Sequence, residues 1–184
     1  MNLAQNPDKQ DILASELKQE LGGDNYSTTA QLPYLKACYR ESHRKTPVVG
    51  GTGYRFLDKD ITLHGYTVPA KTKISFLTLN LQQDPQLVPN ADQFIPERWL
   101  PSEVQERKGT PSDVIDHRLV ANSFSFGPRM CIGGRLAEVE LLSVLARLVQ
   151  DWRFTLPDDH PPVGYDQKLF LHPAPNPKFH VVRR

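Results

Sequence analysis

The stretch FSFGPRMCIGG, Phe124 to Gly134, decides how the rest of the chain is read. It crowds three glycines, a proline, an arginine and one cysteine ahead of a long apolar pattern, RLAEVELLSVLARLVQDW, that begins at Arg135. In that pattern Leu136, Leu141, Leu142, Val144, Leu145, Leu148, Val149 and Trp152 leave little of a helix polar, which predicts a deeply buried helix. Cys131 stands just before it, where unpaired backbone N–H groups and the positive end of the helix dipole converge. That setting stabilises a thiolate, and a thiolate can serve as a nucleophile, a redox centre or a metal ligand.

Composition narrows the field. The 184 residues are enough for one domain with a real core. Hydrophobic content of 39% and charged content of 23% are ordinary for a soluble globular protein. A net charge of +1, with no basic run interleaved with aromatics, gives a nucleic-acid partner nothing to rest on. No apolar run reaches membrane-spanning length. The N-terminal MNLAQNPDKQ lacks the apolar core of a signal peptide and the basic pattern of a transit peptide. Two cysteines, Cys38 and Cys131, are too few for a disulfide framework.

Upstream of the cysteine the chain divides into short elements. NPDKQDILASELKQELGG predicts a helix with Asn6 as N-cap and Pro7 at the first position. Leu13, Leu17 and Leu21 form its apolar stripe, and Gly22–Gly23 supply the stop. LPYLKACYRESHRKTP predicts a second helix between Pro33 and Pro47, with Cys38 on its buried face. TGYRFLDKD, ITLHGYTVP and TKISFLTLN read as strands of a small antiparallel sheet, with a tight turn at His64–Gly65. From Gln82 to about Asn122 the chain is polar and proline-rich, a long loop expected to wrap onto a scaffold. The tail, RFTLP to HVVRR, predicts two or three more short strands.

The chemistry of Cys131 is settled by its neighbours more than by its type. A nucleophile needs a histidine base, which sequence alone does not place. A structural zinc site needs further cysteines or histidines at close spacing, and none lies nearby. Haem brings four nitrogens of its own, and one axial cysteine is a known way to hold its iron. A buried free cysteine is the commonest state of the residue type. Phe124, Gly127, Arg129, Cys131 and Gly133, however, match F-x-x-G-x-R-x-C-x-G and so resemble the haem-binding loop of the cytochrome P450 family. Background composition gives that match, at a fixed start, a chance on the order of one in ten million.

The resemblance implies that Cys131 is the proximal ligand of a haem iron. It implies a role for each neighbour as well. Gly127 and Gly133 would permit backbone angles and a close approach that a Cβ blocks. Arg129 would fork onto a haem propionate. Phe124 would pack on the proximal face, and backbone N–H groups would hydrogen-bond the thiolate. Ala137 and Glu140 fall where the family's following helix carries them.

Two more signatures follow in the family's order. ESHR matches E-x-x-R, with Glu41 and Arg44 on one helical face. FIPERW matches P-E-R-W and places Arg98 as the third member of the family's Glu-Arg-Arg cluster. The implied role of that cluster is structural: it locks the meandering loop onto the helix behind the haem. Arg55, on the strand after that helix, resembles the second propionate arginine. The early LAQNPDKQDILASEL resembles the helix that precedes E-x-x-R. Residues 1–184 are therefore read as the C-terminal part of a P450 domain, incomplete, mainly α with small antiparallel β-sheets (α+β).

Departures from the family shape the expectation. A full member is much longer, with a central helix carrying an acid–threonine pair, first-half recognition loops and an N-terminal anchor or transit peptide. Gln82 and Gln83 stand where many members have His-Arg, and Gly134 stands where mitochondrial-type members often have arginine, with Arg135 retained. The implied parent is a haem-thiolate monooxygenase that takes oxygen from O₂ and electrons from a ferredoxin or a flavoprotein reductase, acting on a small hydrophobic substrate. Its implied location is the mitochondrial inner membrane or the endoplasmic reticulum. Lys36 and Arg40, at i and i+4, form either a solvated basic stripe or a docking patch for an acidic ferredoxin. Val48 to Gly53 and the tail near Leu171 would border the pocket. The alternatives are a haem-thiolate isomerase or peroxygenase, or a non-catalytic fragment. The isolated chain is expected to be inactive, with Leu141, Leu142, Leu145 and Val149 left as an exposed patch.

Overall fold

The computed structural model describes residues 1–21, 28–49, 53–121, 123–167 and 170–184. The expected stop at Gly22–Gly23, part of the segment from Val48 to Gly53, Asn122 and the Lys168–Leu169 pair lie outside them. The architecture is mainly helical with small antiparallel sheets, as the composition of elements in the sequence implied.

A short helix α1 (Asn2–Gln5) leads into α2 (Pro7–Glu20), with Pro7 in the first turn where its missing N–H costs nothing. Asn6 precedes it but does not cap by side chain; its amide donates back to the Asn2 carbonyl at 2.7 Å. Helix α3 (Pro33–Lys45) opens the same way, on Pro33. Its first-turn N–H groups find a distant acceptor: the Glu16 carboxylate takes the Tyr34 and Leu35 N–H groups at 2.8 and 2.9 Å.

Helix α3 is the centre of the molecule because both its faces are covered. Leu35 and Cys38 pack with Leu13, Leu17 and Leu21 of α2 and with Leu142, Ala146 and Val149 of α7 (Gly134–Asp151). On the opposite side Ala37 packs with Val88, Ala91, Trp99 and Ile115. Each fully buried leucine here contributes about 1.5–3 kcal/mol of transfer free energy.

The proline-rich segment after Gln82 is not a structureless loop. Helix α4 (Thr78–Gln83) takes residues that the sequence pattern assigned to a strand. Beyond it come a 3₁₀ turn at Pro96–Trp99, α5 (Pro101–Glu106), a 3₁₀ turn at Pro111–Asp116 and α6 (Arg118–Ala121). Three of these short turns begin on proline, whose fixed φ starts a helical turn and whose ring blocks continuation from upstream. Apolar side chains too sparse to show a period, among them Val88, Phe94 and Ile115, are buried and hold the segment down.

The expected small sheet is a pair of two-stranded ribbons: β1 (Tyr54–Phe56) with β4 (Lys73–Ser75), and β2 (Ile61–Leu63) with β3 (Tyr66–Val68). His64 and Gly65, at φ 48 and 84, make the tight turn between β2 and β3. The tail forms two more ribbons, β5 (Trp152–Thr155) with β8 (His180–Arg183) and β6 (Gly164–Gln167) with β7 (Leu171–Ala174). The sequence pattern missed β6, and it placed Trp152 on the helix rather than the strand. Buried Gln10 ties β5 to α2, donating to the Leu3 and Phe154 carbonyls and accepting the Phe154 N–H, all at 2.9 Å.

Helix α7 corrects an expectation. Its buried stripe is narrow: Leu142, Ala146 and Val149, at i, i+4 and i+7. Leu136, Val139, Leu141, Val144 and Leu148 are exposed. The helix is covered on the side facing α2 and α3 and open on the other. Of the four residues expected to form an exposed patch, Leu142 and Val149 are in the core and Leu145 is partly buried against it.

Candidate functional site

The loop from Phe124 to Gly134 is held by its own backbone. Ser125 and Gly127 take φ of 65 and 77, the left-handed region that suits the glycine and strains the serine. A 3₁₀ turn at Gly127–Arg129 closes with the Met130 N–H on the Gly127 carbonyl at 3.0 Å. The Cys131 N–H returns to the Phe124 carbonyl at 3.0 Å, and the Gly134 N–H reaches the Cys131 carbonyl at 3.2 Å. Cys131 is thereby fixed at the mouth of α7 with its thiol exposed and free. Phe126, Met130 and Ile132 around it are exposed too, so the thiol sits in an apolar surface rather than a core.

The two motif glycines differ. Gly127 needs its positive φ, as the resemblance implied. Gly133 has φ −84 and ψ −1, which any residue adopts, and a Cβ there would meet no protein atom within 4 Å. Nothing in the protein's own packing demands glycine at Gly133; the space it leaves is available to a ligand.

Arg129 and Arg55 come together from distant parts of the chain. They line one cleft of about 550 Å³ with Gly53, Tyr54, Phe56 and Ser125. Arg55 donates to the Tyr54 carbonyl at 2.8 Å, and neither guanidinium has a carboxylate partner among the described residues. Two like charges converging on one opening suit a ligand that carries two negative groups.

On α3, Glu41 collects a dense set of donors. Arg44 is bidentate to it at 2.9 Å on both contacts, Arg98 Nε and the Ile95 N–H reach Oε1 at 3.1 and 3.0 Å, and the Trp99 indole N–H reaches Oε2 at 2.7 Å. Arg44 uses its other hydrogens on the carbonyls of Gln82, Ala91 and Gln93. Glu41 and Arg44 are fully buried. Burial pushes the Glu41 carboxyl up, but the hydrogen bond and charge of Arg44, then the charge of Arg98, outweigh it and hold the group below its ordinary value.

The Pro96–Trp99 turn sends consecutive side chains to different helices. Glu97 accepts from Tyr34 at 2.8 Å and from Lys9 at 3.0 Å, tying the turn to α3 and α2. Arg98 and Trp99 go to Glu41. Two guanidiniums lie against the Trp99 ring, Arg40 at 4.2 Å and Arg107 at 5.2 Å from its centroid. Asp116 holds both: Arg107 at 2.6 and 2.8 Å and Arg40 at 3.4 Å. Arg107 and Asp116 do not stand out in the sequence; Trp99 does, as the last residue of P-E-R-W. An indole in a well-covered turn needs an N–H acceptor, and that signal is there for Trp99.

The basic pair on α3 is therefore uneven. Lys36 is exposed. Arg40 is half-buried, paired with Asp116 and laid on Trp99, so the two do not form a uniformly solvated stripe. Buried Gln82 joins α4 to α6 by donating to the Val120 carbonyl at 2.6 Å. Val48 and Leu171 meet through a backbone bond of 2.8 Å.

Comparison with known proteins places these features. The sequence matches the cytochrome P450 family over residues 1–181. It is 36% identical to the protein described as "probable cytochrome P450 12b2, mitochondrial" of Drosophila melanogaster, covering 97% of this chain and 34% of that protein. It is 38% identical to cytochrome P450 CYP12A2 of Musca domestica, over 86% of this chain and 31% of that one. It is also 38% identical to the mouse mitochondrial 1,25-dihydroxyvitamin D(3) 24-hydroxylase, over 87% and 30%. The chain spans about a third of the length of these relatives.

Proposed function

The chain belongs to the cytochrome P450 family, and on that premise we propose that its residues form the haem-holding, thiolate-donating face of a monooxygenase. The observation that supports this most is the exposed thiol of Cys131 on the same loop as Arg129, which shares a cleft with Arg55. Haem, when bound, supplies the iron at which dioxygen is activated. The residues present fit it. Cys131 would give up its thiol proton and hold the iron through its sulfur. Arg129 and Arg55 pair with the two propionates, which explains two guanidiniums facing one opening. Gly133 leaves the room a flat ligand needs, and Phe124, Phe126 and Ile132 supply apolar surface beside the sulfur. The N–H groups of Ile132 and Gly133, which have no backbone acceptor among the described residues, are available to the thiolate. Glu41, Arg44 and Arg98 do no chemistry; they anchor the segment from Gln82 to Trp99 onto α3.

Electrons come from a partner protein. The mitochondrial names of several relatives favour a ferredoxin and a mitochondrial location. Lys36 is the freer docking cation, and Arg40 contributes only what its pairing with Asp116 leaves. No helix among the described residues is long and apolar enough to cross a membrane. The substrate class is a small hydrophobic molecule. For these 184 residues by themselves a second reading, a non-catalytic fragment, is favoured by the uncovered apolar face of α7.

The test is reconstitution with ferric haem, reduction and exposure to carbon monoxide, on the chain and on any longer polypeptide containing it. The expected result is a thiolate-type absorption band that Cys131→Ser and Cys131→His abolish and Cys38→Ala leaves intact. A band that survives loss of Cys131 removes the assignment.

A further inference from the structure

Arg40, Arg107 and Asp116 form a trio in which two cations share one carboxylate. Arg107 follows α5 and Asp116 ends the Pro111–Asp116 turn, so two short elements of the proline-rich segment meet α3 here. The sharing is unequal. Arg107 spans the carboxylate, Nε to Oδ2 at 2.6 Å and Nη2 to Oδ1 at 2.8 Å, the two-pronged geometry that a guanidinium and a carboxylate prefer. Arg40 reaches only Oδ1, at 3.4 Å, well beyond the length of a charge-assisted hydrogen bond. Arg107 thus takes up the charge of Asp116, and Arg40 is left laid on the Trp99 ring. The two cations also differ in what a visitor can reach. Arg107 donates to the Arg98 carbonyl as well, and its side chain keeps 11% exposure. The Arg40 side chain keeps 34%, one helical turn from exposed Lys36. A carboxylate on another molecule can therefore reach Arg40. Its competitor within this molecule is Asp116, with Glu138 of α7 acting on Arg40 only through its charge.

We propose that Arg107 is a positioning residue for partner docking: by taking both oxygens of Asp116 it keeps the Arg40 guanidinium available to an acidic patch of the electron-donor protein. The consequence for docking rests on the reading of α3 as the face that meets a ferredoxin; the competition for Asp116 does not. Without the Arg107 fork, Asp116 closes onto Arg40. The docking surface then loses a cation although Arg40 itself is unchanged.

Two readouts separate the competition from the docking. Phenylglyoxal, an arginine-selective reagent, reports how free Arg40 is, with the modified site assigned by peptide mass mapping. Titration with a [2Fe–2S] ferredoxin at low salt reports docking. Both are made on the 184-residue chain and on any longer polypeptide containing it, with circular dichroism on each variant. Arg107→Gln is expected to slow Arg40 modification severalfold and to weaken ferredoxin binding severalfold. Arg107→Lys keeps the charge but loses the fork, so it separates geometry from the field of a cation. It is expected to shift both readouts in the same direction by less, and it decides the matter should Arg107→Gln fail to fold. With Asp116→Asn in place, neither Arg107 variant is expected to change either readout. A wild-type rate of Arg40 modification in the Arg107 variants overturns the proposal, as does a loss that persists in the Asp116→Asn background. Arg40 modification that responds as expected, with ferredoxin affinity indifferent to Arg40→Gln and Lys36→Gln, sinks the docking reading and keeps the competition for Asp116. Affinity that depends on Arg40 and Lys36 but not on Arg107 does the reverse.

Discussion

The indole N–H of Trp99 donates to Glu41 Oε2 at 2.7 Å, the shortest of the bonds that carboxylate accepts. Trp99→Phe keeps a ring against Arg40 and Arg107 but leaves Oε2 one donor short inside the core. Oε2 keeps the Arg44 Nε–H, so the loss should be about 1.5–3 kcal/mol, the range for one hydrogen bond to a charged group. Trp99→Ala should cost about 3–5 kcal/mol, because the ring and its packing go as well. Urea unfolding midpoints check both, and equal losses for the two variants would show that the hydrogen bond contributes nothing.

Arg44 and Arg98 share Glu41 but not its environment. Arg44 is fully buried, while the Arg98 side chain keeps 11% exposure. Arg44→Ala strands a buried carboxylate and should cost about 3–5 kcal/mol or abolish folding. Arg98→Ala should cost less, since water can reach the vacated side. The ordering of the two midpoints is the measurement, and a reversed order contradicts the burial argument.

Acid should weaken the fold in two stages. Burial lowers His43 from 6.5 to about 4, so the unfolded chain binds a proton that the folded chain refuses. Stability from this group is full above 6.5 and declines as pH falls towards 4. Glu41, also held low, contributes stability present above its ordinary 4.5 and lost as pH falls below it. His43→Gln should flatten the upper stage and leave the lower one. Chemical denaturation across the range from neutral to acidic pH decides it, and an unchanged upper slope would refute the role of His43.

Charge reversal separates docking from structure on α3. In any longer polypeptide that contains these residues and takes electrons from a ferredoxin as proposed, Lys36→Glu should raise the apparent KM for ferredoxin, more so at low salt, with haem content and stability unchanged. Arg40→Glu should do the same but also lower stability, because it sets a carboxylate against Asp116 and removes the cation over Trp99. Ferredoxin kinetics unaffected by Lys36→Glu would point to a flavoprotein donor.

The open side of α7 should make the isolated chain associate. Leu136, Val139, Leu141, Val144 and Leu148 stay exposed on that side, interrupted by the Arg147–Asp151 ion pair. Light scattering should show assemblies at micromolar concentration, and Val139→Glu with Val144→Lys should reduce them. With haem and a redox partner the isolated chain should oxidise no substrate. A soluble monomer with turnover would overturn this.

Much of the scaffold is legible in the sequence because it rests on local patterns. Leu13, Leu17 and Leu21 at a spacing of four, and Pro33 and Pro47 as brackets, mark α2 and α3 within a residue or two at the described ends. The elements after Gln82 are not legible, because isolated residues such as Val88 and Ile115 bury there without any period. The extent of burial on α7 escapes the sequence for a related reason: leucine and valine count shows what a helix could bury, not how many neighbours cover it. At the site, Arg55 and Arg129 stand out individually, but only the fold brings them to one cleft. Asp116 and Arg107 leave no trace in the sequence, because ion pairs of that kind look like ordinary surface charge.

The Arg44 anchor also has a consequence in time. Its partner carbonyls at Ala91 and Gln93 lie 47 and 49 positions downstream. At synthesis rates of roughly 5–20 residues per second, they leave the ribosome several seconds after the helix that needs them. Through that interval the Glu41–Arg44 pair must stay hydrated, and α3 cannot close over it. The helix at the centre of the molecule is thus made well before the elements that seal it, a window in which a nascent chain exposes its central helix to chaperones or to misassembly.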